Sequence, residues 1–155
     1  MLSAKLIDLI EGHWDSITSR VLAEIRQDAR VAHIASLPTS DLQDRARDIV
    51  QRLGHWLSET QSEELARQFQ RVGRMRREED IPLEETVLCY QIIKNRMLEF
   101  VRDQGLASTP VAIYAEEELE HSVDRFFDHA IYNVIVGYQQ AAGERQVRRA
   151  MGVVR

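Results

Sequence analysis

The strongest constraint on this 155-residue chain is its last third, Thr109 to Arg155, where one helical pattern continues without a proline or paired-glycine break. Thr109 can cap the start through its hydroxyl, and Pro110 falls at the first helical position, where no amide hydrogen is needed. Leu119, Val123, Phe126, Ala130, Val134, Tyr138 and Ala141 then recur every three or four residues, with Phe127, Ile131 and Ile135 as an adjacent stripe. Two stripes predict burial from two sides between Val123 and Tyr138. After Ala142 apolar density falls, Arg145, Arg148 and Arg149 place positive charge where a helix C-terminus favours it, and Gly152 reads as a point of fraying, not a cap. A helix of ~40 residues would extend ~60 Å at ~1.5 Å per residue, longer than a compact domain of this size needs. Its end is expected to project, as a helix that carries a signal outward would.

Composition fits a single soluble domain, because 44% hydrophobic residues over this length supply a real core and leave little for a second one. No apolar run approaches the ~18 residues of a membrane span, and Lys5 and Asp8 interrupt the Leu2–Ile10 segment that a secretory signal would need. A cytoplasmic protein is expected. The net charge of −5 opposes general nucleic-acid binding, which needs a positive field against phosphate. Cys89 is the sole cysteine, so no internal disulfide can form, and its neighbours Val87, Leu88 and Tyr90 mark it as a buried structural thiol.

Strand signals are nearly absent, and the spacing predicts an all-α antiparallel bundle of about five helices. The first, about Ser3 to Asp28, carries Leu6, Ile10, Trp14, Ile17, Val21 and Ile25, with Gly12 as a tolerated weakness. The second is capped by Thr39 or Ser40 and runs through Leu42, Ala46, Ile49, Val50, Leu53 and Leu57. The third begins at Ser62, turns Leu65, Phe69 and Val72 inward, and dissolves into the charged run Arg74 to Asp80. The fourth starts at Pro82 and closes at Gln104-Gly105, and the fifth is the long one. This divides the chain into a helical body at 1–142 and the end of a signalling helix at 143–155.

The opening helix with Trp14, the basic stretch Arg71 to Arg77 followed by Ile81-Pro82-Leu83-Glu84-Glu85, and the closing Phe126 to Tyr138 resemble the N-terminal domain of RsbT co-antagonist proteins, the RsbR-type stressosome components. The resemblance spans about residues 3 to 142, and related domains precede some bacterial histidine-kinase cores. It implies a bacterial, cytoplasmic stress-response input module that forms a homodimer and passes a state change through its last helix to an output domain or regulatory protein. The α/β pattern of the usual partner domain has no counterpart in the sequence, so an excised sensor and a stand-alone relative both stay open. Some relatives are similar to globins without haem, which leaves a globin-like arrangement open as well. By that analogy an iron-binding histidine would fall just before Pro82, where the sequence offers none, and no cofactor is expected.

Other chemistries find weaker footing. Glu118 and His121 have the E-x-x-H spacing of di-iron bundles, but those sites need a second copy and two further carboxylates. A solvated acidic helix face is the simpler reading, and no metal site is assigned. No Gly-x-Ser-x-Gly elbow and no phosphate loop occurs, so the chain is read as non-catalytic. Arg67, Arg71 and Arg74, with Arg77 behind them, form a basic row on the third helix opposite Leu65 and Phe69, and Glu117, Glu120 and Asp124 lie in an acidic strip on the fifth. These are candidate interfaces to a second subunit or an output domain, with no role for nucleic acid or membrane. Trp14, Trp56, Tyr90, Phe126, Phe127 and Tyr132 are candidates to line a small-molecule pocket, against the alternative that they are plain core. A small-molecule or haem-binding domain is thus the second function class, and a metal-dependent bundle enzyme the third.

Overall fold

A computed structural model describes residues 2–152 of the chain, so Met1 and the expected helix end at 153–155 lie outside the described residues. Within them every regular element is helical: α1 Leu2–Gly12, α2 Trp14–Gln27, a 3₁₀ turn Ala29–Val31 running into α3 Ala32–Ala35, α4 Thr39–Val50, α5 Leu53–Ser58, α6 Glu63–Glu78, α7 Leu83–Asp103 and α8 Pro110–Ala150. The all-α class and the long last helix agree with the sequence patterns. The helix count does not, because two expected helices are each broken in the middle.

The first break is at His13, where Gly12 weakens the helix and the imidazole contacts the Leu9 carbonyl at 2.9 Å, competing with the backbone ladder. The bend lets α1 bury Leu6 and Ile10 while α2 buries Ile17, Val21 and Ile25. The second break is at Gln51-Arg52. There the Trp56 indole N–H donates to the Asp48 carbonyl at 2.9 Å, and the Gly54 amide donates to the Glu11 carboxylate at 3.0 Å. A continuous helix would leave the Trp56 ring pointing elsewhere; the break lets it reach the core, where it is 3% exposed.

Caps fall largely where the residues predict. The Ser62 hydroxyl accepts from the Leu65 amide at 3.0 Å, and the Thr109 hydroxyl from the Ala112 amide at 3.1 Å. Thr39 does not cap α4: it is the first helical residue, preceded by Pro38, and its hydroxyl accepts from Arg26 instead. α6 does not dissolve at Arg74 but holds to Glu78. At the far end, α8 is terminated after all: Gly152 adopts φ +70°, the left-handed conformation of a helix-ending glycine, with Met151 and Gly152 amides donating to Val147 and Arg149 carbonyls. Glycine enters that region without a Cβ penalty, so the residue expected to fray acts as a stop.

Long-range ion pairs give the helix directions. Arg20 with Asp103 and Arg96 with Glu24 set α2 and α7 antiparallel, and Arg102 with Glu120 and Lys94 with Asp124 do the same for α7 and α8. α6 and α8, separated by α7 in sequence, run parallel and share the most extensive contact in the molecule. Val123, Phe126, Phe127, Ala130 and Val134 of α8 are fully buried, whereas Tyr132 is 65% exposed, so α8 keeps one free face along its buried middle. No helix is long and apolar enough to cross a membrane among the described residues.

Candidate functional site

The α6–α8 contact depends on two glycines set reciprocally. A Cβ on Gly73 would lie 1.9 Å from the Val134 carbonyl oxygen, and a Cβ on Gly137 would lie 1.9 Å from the Gln70 carbonyl oxygen. No side chain can occupy either point, so the two backbones touch directly. Beside this crossing the Gln70 amide donates to the Asn133 side-chain oxygen at 2.9 Å, and the Asn133 amide donates to the His129 carbonyl, which satisfies a polar group that is only 7% exposed.

The seam continues to the end of α6. Asp80 holds φ +57°, in the left-handed region that favours glycine, and the Ile81 and Asp80 amides donate back to the Arg76 and Arg77 carbonyls in a Schellman arrangement. A non-glycine residue there costs about 1 kcal/mol, aspartate being among the better tolerated. What the residue supplies in return is a carboxylate that pairs with both Arg77 and Arg145 of α8, the latter at 3.0 Å. Next to it the Tyr138 hydroxyl donates to the Ile81 carbonyl at 2.7 Å, and Arg74 forks onto Glu144 at 2.7 and 3.3 Å. Hydrogen bonding to Arg74 holds the Glu144 carboxyl below its ordinary range. From Gln70 to Asp80, α6 is therefore tied to α8 at every turn.

The opposite face of α6 is loosely covered. Phe69, Val72 and Arg76 border a cavity of about 320 Å³ whose other walls come from α2, α3, α4, α5 and α7, including Ile25, Ile34, Ala46, Trp56, Tyr90 and Ile93. Burial pushes the Cys89 thiol, which also lines it, up to about 11, so it stays protonated at neutral pH. Burial raises Tyr90 further, and its hydroxyl makes no hydrogen bond among the described residues. At the mouth, Arg45 and Arg76 both bind Glu79, at 2.6 and 2.7 Å. Burial alone would raise the Glu79 carboxyl; the Arg45 hydrogen bond and the Arg76 charge outweigh it and hold the group below its ordinary value. Beside the lining residues Ile34 and Thr86, Glu85, a carboxylate 4% exposed, accepts from the His33 and Ile34 amides and the His33 imidazole, tying α3 to α7.

The residues singled out by sequence are divided between these places. Trp56 and Tyr90 line the cavity; Phe126 and Phe127 are sealed core behind Phe69, with ring centroids of Phe69 and Phe126 5.7 Å apart. Trp14 is half-buried against the edge of the core under the Arg47 guanidinium, and Tyr132 points to solvent, so neither lines the cavity. The expected basic row is split: Arg67 and Arg71 face solvent, whereas Arg74 and Arg77 turn toward α8, because α6 rolls its glycine face onto that helix. Glu120 and Asp124 likewise pair with Arg102 and Lys94 inside the chain, leaving Glu117 exposed. Glu118 and His121 are exposed, and the described residues form no group of three metal-ligating side chains. No histidine borders the cavity.

Gly73, Gly137, Asn133, Asp80, Arg76 and Glu79 were not singled out by pattern. The legible signal was the pair of lone glycines inside strongly helical stretches, positions that cost about 1 kcal/mol relative to alanine and call for a packing reason. No curated protein and no solved structure matches the chain. A family model does, over residues 15–151, which takes in everything from α2 to the tip of α8 and with it both the seam and the cavity: the chain belongs to the family of the RsbT co-antagonist protein rsbRD N-terminal domain.

Proposed function

We propose that this chain is a non-catalytic regulatory input domain of the stressosome type that forms a homodimer and passes a change in helix packing along α8 to an output domain or regulatory partner. The observation that carries this reading is the division of labour along α8. Its 41 residues bury one face from Ala115 to Ala141, are clamped by Arg145 to Asp80 just past the end of α6, and are exposed from Gln146 to Ala150. A helix gripped over most of its length and bare at its tip moves that tip as a lever, since no proline, Gly/Ser pair or π-bulge interrupts the helix between Gly137 and Ala150, Gly143 being the one weak point. Membership of a family of regulatory N-terminal domains supports the same reading.

The dimer is expected along the free face of α8. Tyr114 and Tyr132, 68% and 65% exposed, are 18 residues apart, which is about five turns, so they stand on one meridian with His121 and Arg125 between them. Exposed aromatics spaced along one face of a helix suit a self-complementary contact about a two-fold axis. Light scattering after size exclusion is expected to give twice the monomer mass, and Tyr114→Glu with Tyr132→Glu to give the monomer. Reversing the solvent-facing Arg67 and Arg71 to glutamate tests the alternative basic face at low salt. A wild-type chain that stays monomeric at 200 µM, about the upper end of ordinary solution work, rejects the homodimer.

A further inference from the structure

We infer that the cavity bordered by α6 is a binding site for a small aromatic carboxylate, held with its ring against Trp56 and Phe69 and its carboxylate at Tyr90 and Arg76. The site is built as such a ligand requires. Its walls are apolar, and one side is aromatic: Trp56 lies edge-on to Phe69 at a centroid distance of 5.3 Å, and Phe69 edge-on to Tyr90 at 6.1 Å. Aromatic rings favour a further ring presented edge-to-face or offset. A volume of about 320 Å³ lies at the small end of ligand pockets, enough for a ring with a short side chain.

The polar groups call for an acceptor. Tyr90 is 8% exposed; its hydroxyl has no hydrogen bond among the described residues and keeps open surface in the cavity it lines, so it is free to donate there. Arg76, with its side chain 12% exposed, spends one N–H on Glu79 and has no other hydrogen bond among the described residues. Guanidinium carries five donors, so several remain. The charges at the mouth are Arg45, Arg76, Glu79, Asp44 and Asp48. Asp48 is engaged by Arg52, and Asp44 faces solvent, so the two arginines that share one glutamate are what a ligand head meets. Arg76, its side chain 12% exposed, lies deeper than the rim carboxylates of Asp44 and of Asp48, the latter 54% exposed, so a ligand seated inside meets spare donors first, which favours a carboxylate over an amine or a simple alcohol.

The position of the site gives binding a consequence, which rests on the input-domain reading above. Phe69, Val72 and Arg76 belong to the helix whose other face is fused to α8, so filling the cavity loads α6 and, through Gly73, the signalling helix. Binding itself does not depend on that reading.

The test uses the full chain with 3-phenylpropionate as probe and 3-phenylpropanol as its neutral counterpart, followed by calorimetry and by the rate of Cys89 alkylation. One 3-phenylpropionate per chain is expected, with a Kd on the order of 100 µM for an 11-heavy-atom ligand, and occupied protein should alkylate at least about 5-fold more slowly because Cys89 lines the same space. The alcohol should bind about 10-fold or more weakly, as should the acid to Tyr90→Phe and Arg76→Gln. Ala46→Leu, which fills the cavity from α4, should abolish binding while leaving the fold intact by circular dichroism. Absence of binding at 5 mM probe, about 50 times the expected Kd, equal affinity for acid and alcohol, or undiminished binding to Ala46→Leu would each overturn the assignment. A monomer that still binds the acid keeps the site and rejects only the dimer.

Discussion

The two faces of α6 differ as much as two faces of one helix can. Toward α8 there is no room for a methyl group: Gly73 and Gly137 bring backbone against backbone, and Asn133, Tyr138, Asp80 and Arg145 fasten what lies on either side. Toward α2, α4 and α7 there is a void of about 320 Å³, roofed by a mouth of two arginines and one glutamate. Tight packing transmits displacement, since well-packed interiors are stiff and tend to shift between discrete arrangements, whereas a void accepts a guest or collapses. The contrast teaches that α6 is the coupling element, with one face able to respond and the other able only to follow.

The largest expected effect comes from destroying the tight face. Gly137→Ala should lower stability by about 3 kcal/mol or more, or prevent folding, because the new methyl would meet the Gln70 carbonyl, and backbone cannot yield as a side chain can. Gly143→Ala, on the same helix with nothing within 4 Å, should instead gain about 0.5–1 kcal/mol. Urea melts of the pair check the difference in sign. If both variants behaved alike, the contact would not be tight.

Next comes Asn133→Ala, which leaves the Gln70 amide without its partner and should cost about 1–3 kcal/mol by the same melts. On the loose face the sign reverses. Ala46→Leu places three carbons in the void and should stabilise by about 0.5–2 kcal/mol in thermal unfolding. A loss of more than about 1 kcal/mol would mean that the space is already filled.

The smallest effect is the pH response of the mouth. Glu79 titrates below its ordinary value of 4.5 in the folded chain, so it binds protons more readily when unfolded. Its contribution is present above pH 4.5 and is lost as pH falls through the lower, folded value. Stability measured from pH 6 down to 3 should therefore fall more steeply in the wild type than in Glu79→Gln. Identical profiles would mean that the arginine pairs at the mouth do not form in solution.

How much of this was legible in the sequence follows from the range of each interaction. The start of α8 and of α6 was readable because a cap is local: Thr109 and Ser62 reach amides three residues on. The apolar stripes of α8 were readable because period alone defines them. The breaks at His13 and Gln51 were not, since the second depends on the Trp56 indole reaching back to Asp48 and on Glu11 of another helix. The basic row of α6 looked like one surface because spacing cannot show how a helix rolls, and Gly73 decides that roll. Gly152 is ambiguous for a related reason, since a single glycine at a helix end reads equally as fraying or as a stop until its φ is known. The cavity was half legible: Trp56 and Tyr90 were named for it, but Arg76 and Glu79 belong to a charged run whose inward members only the tertiary fold selects.

Native-state hydrogen exchange resolved by residue tests most directly whether α6 and α8 are one rigid unit facing a compliant cavity. Amides of Leu65–Glu78 and Phe126–Ala141 should open together, with a common free energy above that of α4 and α5. If α6 instead opens with α4 and α5 while α8 stays protected, α6 belongs to the cavity wall alone and cannot couple that cavity to the last helix.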